Sequence, residues 1–146
     1  MPVVIDDFNG QYSFLSNFYP CYIEYREEFW PTTEHAFQAA KAVRPADAAR
    51  IRHAGTPGIA KRMGRSVLLR PDWERIKDQI MLEVCMAKFT KSDMAPRLLE
   101  THPAILVEGN SWGDRYWGVD RQGQGQNKLG LILMAIREEL KRPCVL

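Results

Sequence analysis

Hydrophobic residues recur along this chain at helical spacing in two places. Trp73, Ile76, Ile80, Val84 and Ala87 fall three or four positions apart, which puts them on one face of an α-helix. Asp72 stands where that helix needs an N-cap. Leu129, Ile132, Leu133, Ile136 and Leu140 repeat the pattern between about Lys128 and Arg142, with Asn127 as the expected cap. Shorter helices follow from punctuation. Pro31 opens one that runs from about Thr33 to Val43 and ends before Pro45, because proline suits a first helical turn and disfavours helix in the residue before it. Ala46 to His53 reads as a second. Thr56-Pro57 and Gly64 bracket a third over Gly58 to Met63, and Ala95 to Thr101 forms another.

Strands are few. Val3 to Ile5 is a short apolar run ended by two aspartates, Cys21 to Tyr25 alternates in character, and Ile105 to Val107 is apolar again. Phe14 to Pro20 is unusually apolar for a connection, so it either packs on the core or lines a pocket. Gly109 to Gly125 is rich in Gly, Asn, Asp and Trp. The pattern predicts an α+β chain, predominantly helical, with a few short strands. Its 146 residues suit a single domain over 1–146.

Composition narrows the class. Hydrophobic residues make up 45% and charged residues 26%, which excludes disordered and collagen-like chains. The three cysteines, Cys21, Cys85 and Cys144, are odd in number and far apart, so neither a disulfide framework nor a zinc ribbon is expected. With no basic start leading into an apolar run, and no apolar stretch near the ~20 residues needed to span a bilayer, the expectation is a cytoplasmic protein without membrane contact. The net charge is only +2. It is uneven, however: Lys41 to Lys77 holds ten Lys or Arg against Asp47, Asp72 and Glu74. Such a stretch is either a set of solvated helix faces or a surface that holds phosphate.

Three segments can carry chemistry. Glu34, Gln38 and Lys41 are spaced i, i+4, i+7, so a carboxylate, an amide and an amine share one helix face. Glu34 then either simply favours the helix N-terminus or works as an acid, base or cation stabiliser. Lys41 is a solvated cation, a phosphate clamp or an amine nucleophile. In the second segment, Glu108 to Gly118, three glycines free the backbone, and Trp112, Tyr116 and Trp117 surround Asp114. Those rings either tuck into the core or stack on a flat base. The third is Gly123 to Lys128, at a helix start where backbone N–H groups suit a phosphate if they do more than cap. His35, His53 and His102 lack metal-ligand spacing, and no serine or cysteine has a nucleophile signature.

Together these segments resemble the NADAR, or YbiA-like, family. The matching pieces are Phe14-Leu15-Ser16-Asn17-Phe18-Tyr19-Pro20, Trp30 to Lys41, Gly109-Asn110, Trp112-Gly113-Asp114, Tyr116-Trp117-Gly118, Asn127-Lys128-Leu129-Gly130, Leu133-Met134 and Arg137. They fall in the family's order along nearly the whole chain. The resemblance implies a mainly helical N-glycosidase acting on phosphorylated ribosylamino-pyrimidine intermediates of riboflavin synthesis or on ADP-ribose attached to guanine in DNA. It implies Glu34, Asp114 and Lys41 as catalytic. It implies a substrate pocket drawn from Ser16, Asn17, Phe18, His35, Gln38, Trp73, Asn110, Trp112, Tyr116, Trp117 and Asn127. Trp73 also belongs to the helical stripe above. Ala36 stands where the family often has an aromatic, a difference of pocket width rather than chemistry. No metal or redox cofactor is expected. The partner is a small ribosylated base or modified DNA. The two carboxylates are expected to share one sugar-sized hollow. A non-catalytic ADP-ribose or NAD-like binding module is the alternative, and a nucleic-acid-binding domain using the basic segment is a further one.

Overall fold

The computed structural model describes residues 2–142. In chain order its elements are β1 (Val4–Ile5), a 3-10 helix (Gly10–Leu15), β2 (Ile23–Tyr25), β3 (Glu28–Trp30), α1 (Thr33–Ala40), α2 (Pro45–Arg52), α3 (Pro57–Gly64), α4 (Trp73–Phe89), α5 (Ala95–Leu99), β4 (Ile105–Leu106) and α6 (Lys128–Lys141). The architecture is α+β and predominantly helical. It divides into two units, one of residues up to Ser16 and from Phe89 onward, the other Asn17–Lys88.

In the first unit β1 pairs in parallel with β4, Val4 opposite Ile105 and Ile5 opposite Leu106. α6 packs on β4 and α5. Its stripe is real: Leu129, Leu133 and Ile136 are buried, and burying each side chain is worth about 1.5–3 kcal/mol. Arg137 is also buried and donates from Nη1 to the Thr101 hydroxyl at 2.9 Å. Asn127 does not cap α6 with its side chain. It occupies the cap position with left-handed backbone (φ 50°), while its Oδ1 accepts from the Glu108 N–H and its amide donates to the Leu106 carbonyl, both at 2.9 Å. The polar atoms expected to cap the helix instead tie its start to the end of β4.

In the second unit β2 and β3 form an antiparallel hairpin, with Ile23 opposite Trp30. Only the last three residues of the expected Cys21 to Tyr25 strand are strand. The turn is Arg26-Glu27, both at positive φ (53° and 66°), as a two-residue hairpin loop of the mirror-image type requires. α1 packs against α2 and α3. It stops at Ala40 rather than Val43, since Ala42 leaves the helix to bridge Leu69 and the Val43 N–H donates to the Leu68 carbonyl at 3.0 Å. Along α4, Trp73, Ile80 and Val84 are buried as the period demands. Cys85 is fully buried, Cys21 half-buried, and both are free thiols; Cys144 lies outside the described residues. Among the described residues no helix is long and apolar enough to cross a membrane.

Candidate active site

The second unit brings Glu34, Gln38 and Lys41 onto one face of α1, and the local sequence explains how. Thr32 is the cap, its hydroxyl oxygen accepting the His35 N–H at 3.1 Å. The same hydroxyl lies 2.8 Å from His35 Nδ1, and His35 Nε2 lies 3.0 Å from the Ala54 carbonyl. A carbonyl only accepts, so Nε2 carries the proton and Nδ1 accepts from Thr32. Burial pushes the His35 pKa below its usual value. With both nitrogens engaged and 1% of the residue exposed, the ring braces α1 to the connection between α2 and α3.

Asn17 fastens the same turn. Its carbonyl accepts the Glu34 N–H at 3.2 Å and its side-chain oxygen accepts the Thr33 hydroxyl at 2.8 Å. Its amide donates to the Met81 sulfur of α4 at 3.4 Å. The backbone of Glu34 is thereby held from two sides.

Glu34 itself is 7% exposed, unusual for a carboxylate. The Gln38 amide donates to its Oε1 at 2.7 Å. Gln38 Oε1 is buried with no hydrogen-bond partner among the described residues. Exchanging the amide's two ends would set oxygen against carboxylate oxygen, so Glu34 fixes the orientation. Beyond Gln38, burial lowers the Lys41 pKa from its usual value; the nearby Glu34 carboxylate raises it, and Arg65, Lys61 and Lys77 lower it further. An amine so placed loses its proton more readily than a solvated lysine, and Lys41 is half-buried rather than solvated.

The first unit brings together Asn110, Asp114, Tyr116 and Trp117. Asn110 is buried and clamps the loop, its Oδ1 accepting the Asp114 N–H at 2.9 Å and its amide donating to the Asp114 carbonyl at 2.8 Å. Asp114 Oδ1 accepts the Tyr116 and Trp117 N–H groups, both at 2.9 Å. No partner for Oδ2 occurs among the described residues. Gly118 is required, because a side chain there would strike the Glu108 carbonyl. Tyr116 and Trp117 meet edge to face at 4.8 Å, with the Lys128 amine 4.6 Å from the Tyr116 ring centre. Trp112 is 63% exposed. Beside it lies an open hollow of about 430 Å³ lined by Asn110, Ser111, Gly113, Arg115, Asp120, Arg121 and Gln122.

The remaining expected positions fall as follows. Phe18 is exposed, with the Lys61 amine 5.9 Å from its ring centre. Ser16 follows the 3-10 helix, its N–H on the Ser13 carbonyl. Trp73 is 5% exposed and packs on Phe37 at 5.1 Å, so its place is in the helical stripe. Asn127 spends both side-chain groups on backbone, as described. Sequence reasoning passed over Lys88, which is 1% exposed with its amine 5.5 Å from the Tyr19 ring centre. Its position four after Val84 on the buried stripe was the available signal. Among the described residues no group of His, Cys, Asp or Glu is placed to hold a metal ion.

Known proteins share this arrangement of sequence and fold. The NADAR domain profile matches residues 6–141. N-glycosidase YbiA of Escherichia coli strain K12 is 42% identical over 135 residues, covering 90% of this chain and 84% of that protein. N-glycosidase Npun_R5314 of Nostoc punctiforme is 42% identical over 136 residues, 89% of this chain and 86% of that protein. Riboflavin biosynthesis protein VVA0006 of Vibrio vulnificus is 34% identical over 96% of this chain, which corresponds to 39% of that longer protein. The NMR structure of Escherichia coli YbiA superposes with a TM-score of 0.84 at 40% identity, covering 96% of this chain and 86% of that one. A match along nearly all of its length makes this chain a member of the NADAR domain family.

Proposed function

We propose that this chain is an N-glycosidase that releases a base from a phosphorylated ribosyl compound, with Glu34 handling protons and Lys41 acting as the amine nucleophile. The observation that carries the reading is the α1 stripe: a buried carboxylate aimed by the Gln38 amide, followed on the same face by a half-buried amine of depressed pKa. The names of the YbiA and Npun_R5314 relatives support the reaction class. The riboflavin-biosynthesis name of the Vibrio relative supports a ribosylamino-pyrimidine phosphate as substrate. ADP-ribosyl-guanine is the second substrate class compatible with the same bond cleavage.

Cleaving C1′–N requires that positive charge develop at C1′. Glu34 in its acid form gives a proton to the ring oxygen as that oxygen leaves C1′, while the nitrogen lone pair forms a C1′=N iminium. The neutral Lys41 amine adds to C1′, a proton passes from the added amine to the base nitrogen, which departs with its bonding pair, and the sugar remains as a protonated Schiff base on Lys41. Water then adds to C1′, releasing the sugar aldehyde and restoring the amine. The family resemblance proposes Asp114 as a further catalytic carboxylate, with Oδ2 the oxygen not engaged by the Tyr116 and Trp117 N–H groups.

Borohydride added during turnover should leave a reduced sugar adduct on Lys41, seen by mass spectrometry. An enzyme that releases base without that adduct loses the covalent step. Glu34→Gln should fold normally and lose at least about 100-fold in turnover, the usual scale of a positioned acid or base; full turnover would overturn the assignment. A binding module without activity would instead take up ADP-ribose and release no base from either substrate.

A further inference from the structure

From the packing of α3 on α1, we infer that Lys61 and Arg65 form a binding subsite for the phosphate of a ribosyl phosphate, beside the Glu34–Gln38–Lys41 stripe. This inference rests on the proposed N-glycosidase reading and names the part of the substrate it must recognise.

The geometry begins at Gly64. This residue touches the Gln38 side chain so closely that a Cβ would land on the amide oxygen and lie 3.3 Å from Gln38 Cβ. The α3 face that meets the stripe is therefore the Gly64 face. At 100° per residue, Lys61 lies 60° and Arg65 100° from Gly64 in the same rotational sense, so the two are 40° apart, an i, i+4 pair on one face. These two cations therefore stand side by side on one flank of the contact point, and Gln38 sits between Glu34 and Lys41 on the facing helix. The Lys61 amine is held above the exposed Phe18 ring, which sits against Gly58 at the start of α3, 4.0 Å from where a Cβ would lie. Arg65 is exposed.

Charge supports the same reading. Arg65, Lys61 and Lys77 all act on the Lys41 amine with the same sign, so three cations lie around that amine. Lys77 also pairs with Glu74 at 2.6 Å. Gathering like charges is unfavourable until an anion neutralises them. A phosphate brings the opposite charge, and Arg65 can present two parallel N–H groups to it. Lys41 then stays available for C1′ while the phosphate is gripped by its neighbours, which positions the sugar on the stripe.

The phosphate can be a terminal monoester, as in a ribosylamino-pyrimidine phosphate, or part of a diphosphate, as in ADP-ribose. Calorimetry with ribose, ribose 5-phosphate and ADP-ribose tests the subsite without turnover. The expected result is binding of ribose 5-phosphate, ADP-ribose or both at least tenfold tighter than ribose. Arg65→Gln and Lys61→Met should remove that advantage, and Arg65→Gln should do so with an unchanged melting temperature because Arg65 is exposed. Whichever ligand the two variants weaken more identifies the source of the phosphate. Neither phosphorylated ligand outbinding ribose would overturn the subsite, as would unchanged affinity in both variants. Base release is assayed in parallel on the wild type: binding without release removes the N-glycosidase reading and leaves the subsite standing, whereas release with no phosphate preference does the reverse.

Discussion

The Gln38 amide reaches the Glu34 carboxylate at 2.7 Å, and what keeps it there is the missing side chain of Gly64. Replacing a helical glycine by alanine ordinarily stabilises a helix by about 0.5–1 kcal/mol. Here the added methyl would lie on the Gln38 amide oxygen and 2.9 Å from its carbonyl carbon. The amide cannot simply swing aside, because Gln38 Cβ is itself within 3.3 Å and the residue is 6% exposed. Overpacking typically costs about 1–3 kcal/mol, so the clash wins. Gly64→Ala should lower the denaturation midpoint and depress kcat through misplacement of Glu34. A stabilised, fully active variant would show that the contact does not position the carboxylate.

Asp114 carries two separable duties. One oxygen holds the Tyr116 and Trp117 N–H groups, and the proposed chemistry uses the other. Asp114→Asn keeps an oxygen that can accept both bonds while removing the charge. Asp114→Ala leaves both donors without their acceptor, at about 1–3 kcal/mol for each that stays buried and unpaired. Thermal melting and turnover together should show Asp114→Asn near wild type in stability but inactive, and Asp114→Ala deficient in both. Turnover retained in Asp114→Asn would confine the residue to a loop-holding role.

Much of this was legible in sequence, and the misses have physical causes. The α4 and α6 stripes are long and regular, so Val84, Leu129 and Leu133 were placed in the core by period alone. The hairpin joining β2 and β3 was not, because its turn is Arg26-Glu27 rather than the Asn-Gly or Asp-Gly that signals positive φ. Asn127 was correctly placed at a helix start, yet its side chain serves β4, a long-range partner that capping rules cannot see. The α1 stripe was visible as spacing. That Glu34 is buried and Lys41 half-buried was not, because burial depends on α2, α3 and α4 packing around that helix. His35 looked like a pocket residue from its motif, but Ala54, nineteen positions away, takes its second nitrogen.

Trp112 offers a test of base stacking that leaves the fold alone. It is 63% exposed, so removing it should change stability by no more than about 0.5 kcal/mol. If its ring stacks on the departing base, Trp112→Ala should lose roughly 1–3 kcal/mol of binding, read as a KM raised about tenfold or more with little change in kcat. Trp112→Phe should recover most of the loss. An unchanged KM in the alanine variant would place the base elsewhere.

His35 makes stability depend on pH in a direction that can be worked out. Its folded-state pKa lies below the ordinary value of 6.5 because burial disfavours the charged ring. Above pH 6.5 the ring is neutral in folded and unfolded chains alike, and its bonds to Thr32 and Ala54 contribute fully. As pH falls below 6.5 the unfolded chain takes up a proton that the folded chain still refuses. The unfolded state then binds more protons, and stability falls with pH until the folded-state pKa is reached. Protonation of the ring in the folded chain would also break the bond from the Thr32 hydroxyl, since Nδ1 could no longer accept. The melting temperature should therefore decline as pH falls below 6.5. His35→Gln should start lower at pH 7, having lost one or both ring bonds, and show a shallower slope across that window. An equal slope in the two proteins would assign the acid sensitivity to other groups.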